Sequence, residues 1–270
     1  MARAALDIIG GAQVIVTKGR GHEKRCARDA LAAGATHIAV LGGDGTISQV
    51  ACELVRLKSA VPLAIFAAGT GNDFAKSVGA PVHDYVATTR LMAAGQTRRI
   101  DAGQIDDCVF VNSAGFGFDA EVVARTRDVM RWRGKIVYIK ASLEQLFRFR
   151  GFDARVVPPN EQGRFRQEIS SKNRALNNTQ AIVATQTGEL TGTTSGNAAP
   201  AAPDFNGQRW LTMVFANGGW FGGSFRIAPH ALLDDGLLDA VYIGDASPRR
   251  RVAIFARALS GRHITAPEVR

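Results

Sequence analysis

The sequence is short of cysteine. Only Cys26, Cys52 and Cys108 occur among 270 residues, and no two of them form a Cys-x-x-Cys pair. A scattered, odd-numbered set argues against both a zinc site and a disulfide framework. We therefore expect each cysteine to be a small core residue in a protein of a reducing compartment.

Long apolar runs are also lacking, although the composition is 46% hydrophobic. No run approaches the roughly 18 residues of a membrane span, and no secretory signal opens the chain. We expect a cytoplasmic protein whose membrane contact, if any, is peripheral, at the inner face.

Acidic residues are outnumbered, with 24 Asp and Glu against 33 Lys and Arg, a net charge of +9. This excess favours an anionic partner such as a nucleotide, an acidic membrane surface or a nucleic acid. A generally basic surface without such a partner is the alternative.

Up to about residue 97, strand-like and helix-like segments alternate. Strands are predicted at Gln13–Thr17, His37–Leu41 and Val61–Phe66, and helices at His22–Ala33, around Ile47–Val55 and at Asp84–Ala94. Such alternation predicts an α/β fold with a parallel, doubly wound sheet. We assign residues 1–97 to a nucleotide-binding domain.

From residue 98 onward, short strand-like runs are separated by turn clusters, which predicts a β-rich second domain with an antiparallel, sandwich-like sheet. Two helices are expected to interrupt it, and a last helix is predicted at Arg249–Leu259. The segment Gly188–Gly207, rich in Gly, Thr, Ala, Asn and Pro, is predicted to be a flexible insert.

The first motif is HIAVLGGDGTIS at His37–Ser48, where an apolar strand runs into glycines and a helix follows. Glycines let backbone N–H groups approach phosphate oxygens, and a helix N-terminus adds partial positive charge. Thr46 is a candidate helix cap. Asp44 would repel phosphate unless it holds Mg²⁺ or acts as a base. A tight turn without a ligand is an equal alternative.

The second motif is AGTGNDFA at Ala68–Ala75, which also follows a strand. Two glycine loops at the ends of neighbouring parallel strands should face each other across a crevice, where open α/β sheets bind ligands. Asn72 and Asp73 would supply donors and acceptors there.

GGDGT followed by GTGNDFA resembles the catalytic domain of the diacylglycerol kinase family, in particular its bacterial soluble lipid kinases, which are similar to sphingosine kinases. Further matching segments are IDAGQI at Ile100–Ile105, FVNSAGFGFDAEVV at Phe110–Val123 and the long segment Ala216–Ile243. NAD kinases share GGDGT and a similar architecture. The second loop favours the lipid kinase, so an NAD kinase-like enzyme is a distant alternative.

The resemblance implies ATP-dependent phosphorylation of a lipid hydroxyl with Mg²⁺, with diacylglycerol as the default lipid. It implies Asp44 and Asp119 as catalytic residues, although Asp119 is equally well explained as a helix N-cap. It implies a metal site with the Asp235 carboxylate and the carbonyls of Leu232 and Leu237, for which a simple β-turn is the alternative. The implied ATP-contacting residues are Thr17, Gly42, Gly43, Asp44, Gly45, Thr46, Ile47, Ser48, Gly69, Thr70, Gly71, Asn72 and Asp73.

Two features of the family pattern are missing. No Asn-Pro dipeptide occurs, and neither Asp-Gly pair is followed by Glu, whereas the family's Asp-Gly-Glu turn carries its proposed proton acceptor. We therefore expect a family member that lacks the first strand and the C-terminal segment. The alternative is a catalytically weak or inactive nucleotide-binding remnant.

The segment Arg125–Arg150 interleaves basic residues with Trp132, Phe147 and Phe149. This mixture suits peripheral contact with an anionic membrane that presents the lipid substrate. A solvated helix face with its aromatics in the core is the alternative. The same stretch could bind nucleic acid, but no motif supports that.

The oligomeric state is a separate question, for which a homodimer is one possibility.

Overall fold

The computed structural model describes residues 12–126, 146–157, 165–169, 181–185 and 208–270. The predicted insert Gly188–Gly207 lies outside these ranges, as does most of the basic segment Arg125–Arg150. Within these ranges the chain forms two sheets, one parallel and one antiparallel.

The parallel sheet joins β1 (Ile38–Gly42) and β2 (Leu63–Ala67), with Ile38 opposite Leu63 and Gly42 opposite Ala67. Helix α2 (Asp44–Arg56) connects the two strands, and α1 (His22–Ala32) precedes them. Two helices follow β2, α3 (Asp73–Ser77) and α4 (Tyr85–Ala93). This order confirms the predicted strand–helix alternation.

The predicted strand Gln13–Thr17 is wrong. This segment has no strand conformation, and its side chains at Val14, Ile15 and Val16 are 61%, 46% and 79% exposed. A strand is stable only when a neighbour completes its backbone hydrogen bonds. No strand among the described residues pairs with this segment, so it does not form a strand despite its apolar pattern.

The antiparallel sheet has the strand order β10-β9-β6-β7-β8-β3-β4, and β5 also pairs with β9. Its strands are β3 (Gly103–Ile105), β4 (Cys108–Phe110), β5 (Ser113–Gly117), β6 (Phe152–Val157), β7 (Phe165–Ile169), β8 (Ala181–Thr185), β9 (Arg209–Ala216) and β10 (Asp239–Gly244). Helices α5 (Phe118–Thr126) and α6 (Pro248–Ala258) belong to this part, and a 3₁₀ turn spans Arg262–Thr265. The predicted β-rich second part is confirmed.

The strand β9 is the centre of this part, because it pairs with β10, β5 and β6 and is buried from Trp210 to Ala216. Phe118 and Val122 of α5 and Ile254 of α6 pack into the same core. None of the helices in the described ranges has the length and apolar content that crossing a bilayer demands.

The expected burial of all three cysteines is wrong for Cys108, which is exposed, while Cys26 and Cys52 are half-buried. Cys108 begins β4, which ends the strand order and pairs only with β3 among the described strands. Cys108 directly follows the two-residue turn at Asp106 and Asp107, which are exposed as well.

Helix α2 is fastened to α1 by the carboxylate of Glu53, whose side chain is only 2% exposed. Arg56 and Arg28 each donate to Glu53 Oε1 at 2.8 Å. These hydrogen bonds, that of Arg56 first, hold the pKa of Glu53 below its ordinary value. The ion pairs therefore fix the helix whose N-terminus carries the first glycine loop.

Glu53→Gln should lower the free energy of unfolding by about 1–3 kcal/mol at neutral pH, because it removes the charge from a buried paired site. Since the folded-state pKa is lowered, this stabilisation exists above the ordinary pKa and is lost as pH falls through the folded value. Urea denaturation at neutral and acidic pH measures both effects. Glu268→Gln, at the more exposed Arg250 pair, is the matched control and should cost under about 1 kcal/mol. Equal losses in both variants would contradict the assignment.

Candidate active site

The two glycine loops touch each other through their backbones. Both follow parallel strands that end at the same edge of the sheet, and Ala68 N donates to Gly42 O at 2.9 Å. A Cβ added to Gly43 would lie 3.1 Å from Gly69 Cα, and one added to Gly69 would overlap Gly43 Cα. No side chain fits between the loops, so glycine is required at this contact.

The first loop enters α2 through Gly43, which is the N-cap with extended backbone angles. Thr46 N and Ile47 N both donate to Gly43 O, at 3.0 and 3.1 Å. The proposed cap at Thr46 is therefore wrong, because Thr46 lies inside the first helical turn. The earlier amides of the turn, at Asp44 and Gly45, have no partner within the helix and are available to a ligand.

The side chains in the first turn of α2 contact different parts of the structure. Ile47 is fully buried in the core, whereas the Ser48 hydroxyl lies 3.7 Å from Cys52 Sγ one turn further along α2. The Thr46 side chain packs over Gly42, where an added Cβ would lie 2.9 Å from Thr46 Cβ. The loop itself thus presents mainly backbone to the crevice.

Asn72 shapes the second loop from within. It is buried and takes the left-handed conformation (φ 55°, ψ 39°), which asparagine tolerates better than most residues. Its Oδ1 accepts from Gly69 N at 2.9 Å, and its Nδ2 donates to Gly69 O at 2.8 Å. Its side chain is therefore engaged in holding Gly69 against Gly43, while the exposed Thr70 and the half-buried Gly71 form the rim of the loop.

Two carboxylates flank Gly71. A Cβ added there would lie 2.8 Å from Asp44 Oδ2 and 3.8 Å from Asp73 Oδ2. Asp44 Oδ1 accepts from Phe74 N at 3.2 Å, at the start of α3. Burial raises the pKa of Asp73, and the negative charge of Asp44 raises it further. The two loops thus bring together two acidic groups, as a cation site requires.

The loop after β9 closes over Asp73 from the antiparallel part. Gly223 N donates to Asp73 Oδ2 at 2.7 Å, and Lys76 Nζ donates to Gly223 O at 2.7 Å. Asp73 Oδ1 is buried without a hydrogen-bond partner among the described residues, and Lys76 Nζ lies 3.7 Å from it. The sequence motifs did not predict the roles of Lys76 and Gly223. Lys76 could have been predicted from its spacing, because a lysine three residues after Asp73 lies on the same face of a helix and can pair with it.

Asp119 lies in the first turn of α5 rather than before it, so its interpretation as an N-cap is wrong. The Thr212 hydroxyl of β9 donates to Asp119 Oδ1. Burial raises the pKa of Asp119 to about 7. No described hydrogen bond joins Asp119 to Asp44, so a catalytic role for Asp119 stays a prediction.

Thr17 was expected to reach the crevice from the end of a strand. It is exposed, and no strand precedes it. In the described ranges no hydrogen bond joins it to either glycine loop, so the basis for this ATP contact is lost.

The predicted metal loop is an exposed turn before β10. Asp235 Oδ1 accepts from Leu237 N at 3.0 Å, and the side chains of Leu232 and Leu237 are exposed. Asp101 of the segment IDAGQI, a role that the sequence did not predict, holds this loop because its Oδ2 accepts from Gly236 N at 2.7 Å. Burial, and then the charge of Asp235, raise the pKa of Asp239.

No group of three or more Asp, Glu, His or Cys side chains among the described residues is placed to hold a metal. A cation at this turn would therefore depend on backbone carbonyl oxygens beside Asp235, as hard cations accept. The metal assignment to this loop stays a prediction.

Comparison with known proteins identifies two family models along the chain. Residues 3–105 match the model described as diacylglycerol kinase catalytic domain, and residues 112–270 match the YegS C-terminal NAD kinase beta sandwich-like domain. A Pseudomonas aeruginosa protein named "Probable lipid kinase YegS-like" is 32% identical over 92% of this chain and 67% of its own length. A Mycobacterium tuberculosis protein named "Diacylglycerol kinase" is 30% identical over 95% and 71%.

The fold has solved counterparts. A crystal structure of a diacylglycerol kinase from Bacillus anthracis superposes with a TM-score of 0.57 at 17% identity, covering 92% of this chain and 70% of that one. At this identity the likeness shows the fold alone.

Gly69→Ala should lower the free energy of unfolding by at least about 2 kcal/mol, because its Cβ would overlap the Gly43 backbone and force the two loops apart. Gly45→Ala is the matched control, since a Cβ there meets nothing within 4 Å and alanine is favoured in a helix by about 1 kcal/mol. Thermal denaturation of both variants measures the difference. Equal stability of the two would show that the loops are not in contact.

Asp119→Asn tests the raised pKa of Asp119, which stands at about 7 against an ordinary value of 3.8. The folded protein holds a proton that the unfolded chain releases, so stability is lost as pH rises through the folded pKa. Asparagine still accepts from Thr212 but cannot ionise. The variant should therefore exceed the parent by about 2–4 kcal/mol near pH 8, and match it near pH 4. Urea denaturation across this range decides, and parallel pH profiles would contradict the assignment.

Proposed function

Because the chain belongs to the diacylglycerol kinase catalytic-domain family of lipid kinases, we propose that it transfers the γ-phosphoryl group of ATP to a lipid hydroxyl with Mg²⁺. The observation that carries this proposal is the backbone contact of two glycine loops beside two carboxylates. Diacylglycerol is the lipid we propose, after the activity for which the mycobacterial relative is named.

The first glycine loop is proposed to hold the phosphates of ATP. Gly42, Gly43 and Gly45 remove side-chain bulk, so that a phosphate can approach the free amides at the start of α2. The half-exposed edge at Gly71 and Thr70 forms the opposite wall. Phosphoryl transfer depends mainly on such positioning and charge neutralisation.

Asp44 and Asp73 are proposed to hold the Mg²⁺. Their carboxylates flank Gly71, and Asp73 Oδ1 is buried without a hydrogen-bond partner among the described residues. Negatively charged, hard oxygen donors are what Mg²⁺ binds. The cation would neutralise charge on the transferring phosphate. Lys76, close to Asp73, adds a second positive charge to the same wall.

Because the substrate is a lipid, we propose that the reaction takes place at the cytoplasmic face of a membrane and that the protein binds this membrane peripherally. We propose no nucleic-acid partner. A homodimer stays a prediction.

Asp44→Asn should reduce lipid phosphorylation by about 10²-fold or more while leaving the fold intact, because the side chain that holds the cation loses its charge. The assay incubates the full chain with labelled ATP, Mg²⁺ and vesicles that contain diacylglycerol, and measures labelled lipid. Asp29→Asn, an exposed aspartate of α1, is the matched control and should keep full activity.

The outcomes separate the alternatives. Undiminished activity of Asp44→Asn would remove Asp44 from the mechanism. ATP binding without any labelled lipid, in parallel arms with diacylglycerol, a sphingoid base and a polyprenol, would identify a nucleotide-binding remnant. A labelled dinucleotide in an arm that supplies NAD would favour the NAD kinase-like alternative.

A further inference from the structure

The last helix and the turn after it are rich in arginine. Residues 246–267 contain five arginines and no aspartate or glutamate. Arg251 is buried and bonds Asp245 and the carbonyls of Ala246, Leu146 and Phe149, so it is structural. Arg250 pairs with Glu268 at 2.7 Å. The other three arginines lie at the surface.

The charge is concentrated at the C-terminal end of α6. Arg257 and Arg262 are exposed there, and Arg226 joins them because its backbone N donates to Ala258 O at 2.8 Å. The same end exposes two aliphatic side chains, Leu259 at 52% and Ile264 at 38%. We call these five residues the arginine rim.

The arginine rim is connected to the crevice through one indole. The Arg226 guanidinium carbon lies 5.7 Å from the centre of the Trp220 ring, and Lys76 Nζ lies 5.1 Å from the same centre. Lys76 in turn bonds Gly223, the residue that donates to Asp73. A short series of contacts therefore leads from the exposed arginines to the carboxylates of the candidate active site.

We propose that the arginine rim is the surface with which this protein lies on an anionic lipid bilayer. Arginines attract the negative headgroups, and exposed leucine and isoleucine side chains insert at the acyl boundary. The aliphatic side chains favour a bilayer over a nucleic acid. A nucleic-acid site would combine basic residues for the phosphates with aromatic side chains that stack on the bases, and leucine and isoleucine serve neither purpose. The docked orientation would place the crevice beside the headgroups.

This proposal deepens the proposed function, since a bilayer is where a lipid substrate resides, but its test needs no catalysis. Binding of the full chain is measured by co-sedimentation with vesicles of equimolar phosphatidylcholine and phosphatidylglycerol, without diacylglycerol or ATP. Each basic residue near such a surface contributes a factor of about five in affinity. Reversing two charges in Arg226→Glu/Arg262→Glu should therefore weaken binding by about 25-fold or more.

The matched control is Arg25→Glu/Arg90→Glu, which makes the same change of charge at two exposed arginines of α1 and α4. It should weaken binding by less than about threefold, as expected for a change in net charge alone. Leu259→Ser keeps every charge and should reduce binding several-fold. Thermal denaturation of each variant shows that binding is lost without unfolding.

Three results would overturn the proposal. They are equal losses in the rim and control variants, no vesicle binding by the parent, and rim-dependent binding to duplex DNA that matches or exceeds binding to vesicles. A parent that binds vesicles through the rim but transfers no phosphate would uphold the docking surface and refute the proposed kinase activity.

Discussion

The backbone contact between Gly43 and Gly69 is the constraint on which the candidate site depends. Two parallel strands end together at one edge of their sheet, and the loops that follow meet without a side chain between them. This contact places the first turn of α2 against the start of α3, where Phe74 N donates to Asp44. The carboxylates of Asp44 and Asp73 are neighbours as a result, although 29 positions separate them in the chain.

Bringing two carboxylates together is unfavourable unless other groups compensate their charge. The positive charge comes from Lys76 of α3, 3.7 Å from Asp73 Oδ1. The antiparallel part holds this arrangement, because Gly223 donates its amide to Asp73 and accepts from Lys76. Ser77 and Asn112 strengthen the same connection, since the Ser77 hydroxyl donates to Asn112 Oδ1 at 2.9 Å. The parallel sheet therefore builds the phosphate loop, and the antiparallel part completes its acidic wall.

Local patterns predicted the strands, the helices and both glycine loops, because periodicity and glycine spacing are properties of short segments. Gln13–Thr17 shows their limit: the apolar pattern is that of a strand, but a strand also needs a partner that its own residues do not specify. The role of Asn72 was likewise hidden, since its left-handed backbone is visible only in the folded loop. Asp101 and Gly223 act through contacts more than 130 residues away along the chain.

The pKa values of Asp73 and Asp119 are raised by different causes, and this separates the responses of the two groups to a ligand. Burial against β9 raises the pKa of Asp119, with the Thr212 hydroxyl acting against it. At Asp73 the charge of Asp44 adds to burial. A cation between Asp44 and Asp73 would reverse that second cause and lower the pKa of Asp73, whereas Asp119 would be unaffected. Binding of a cation in the crevice is therefore expected to strengthen with rising pH, while the pH dependence of Asp119 reports on the antiparallel core.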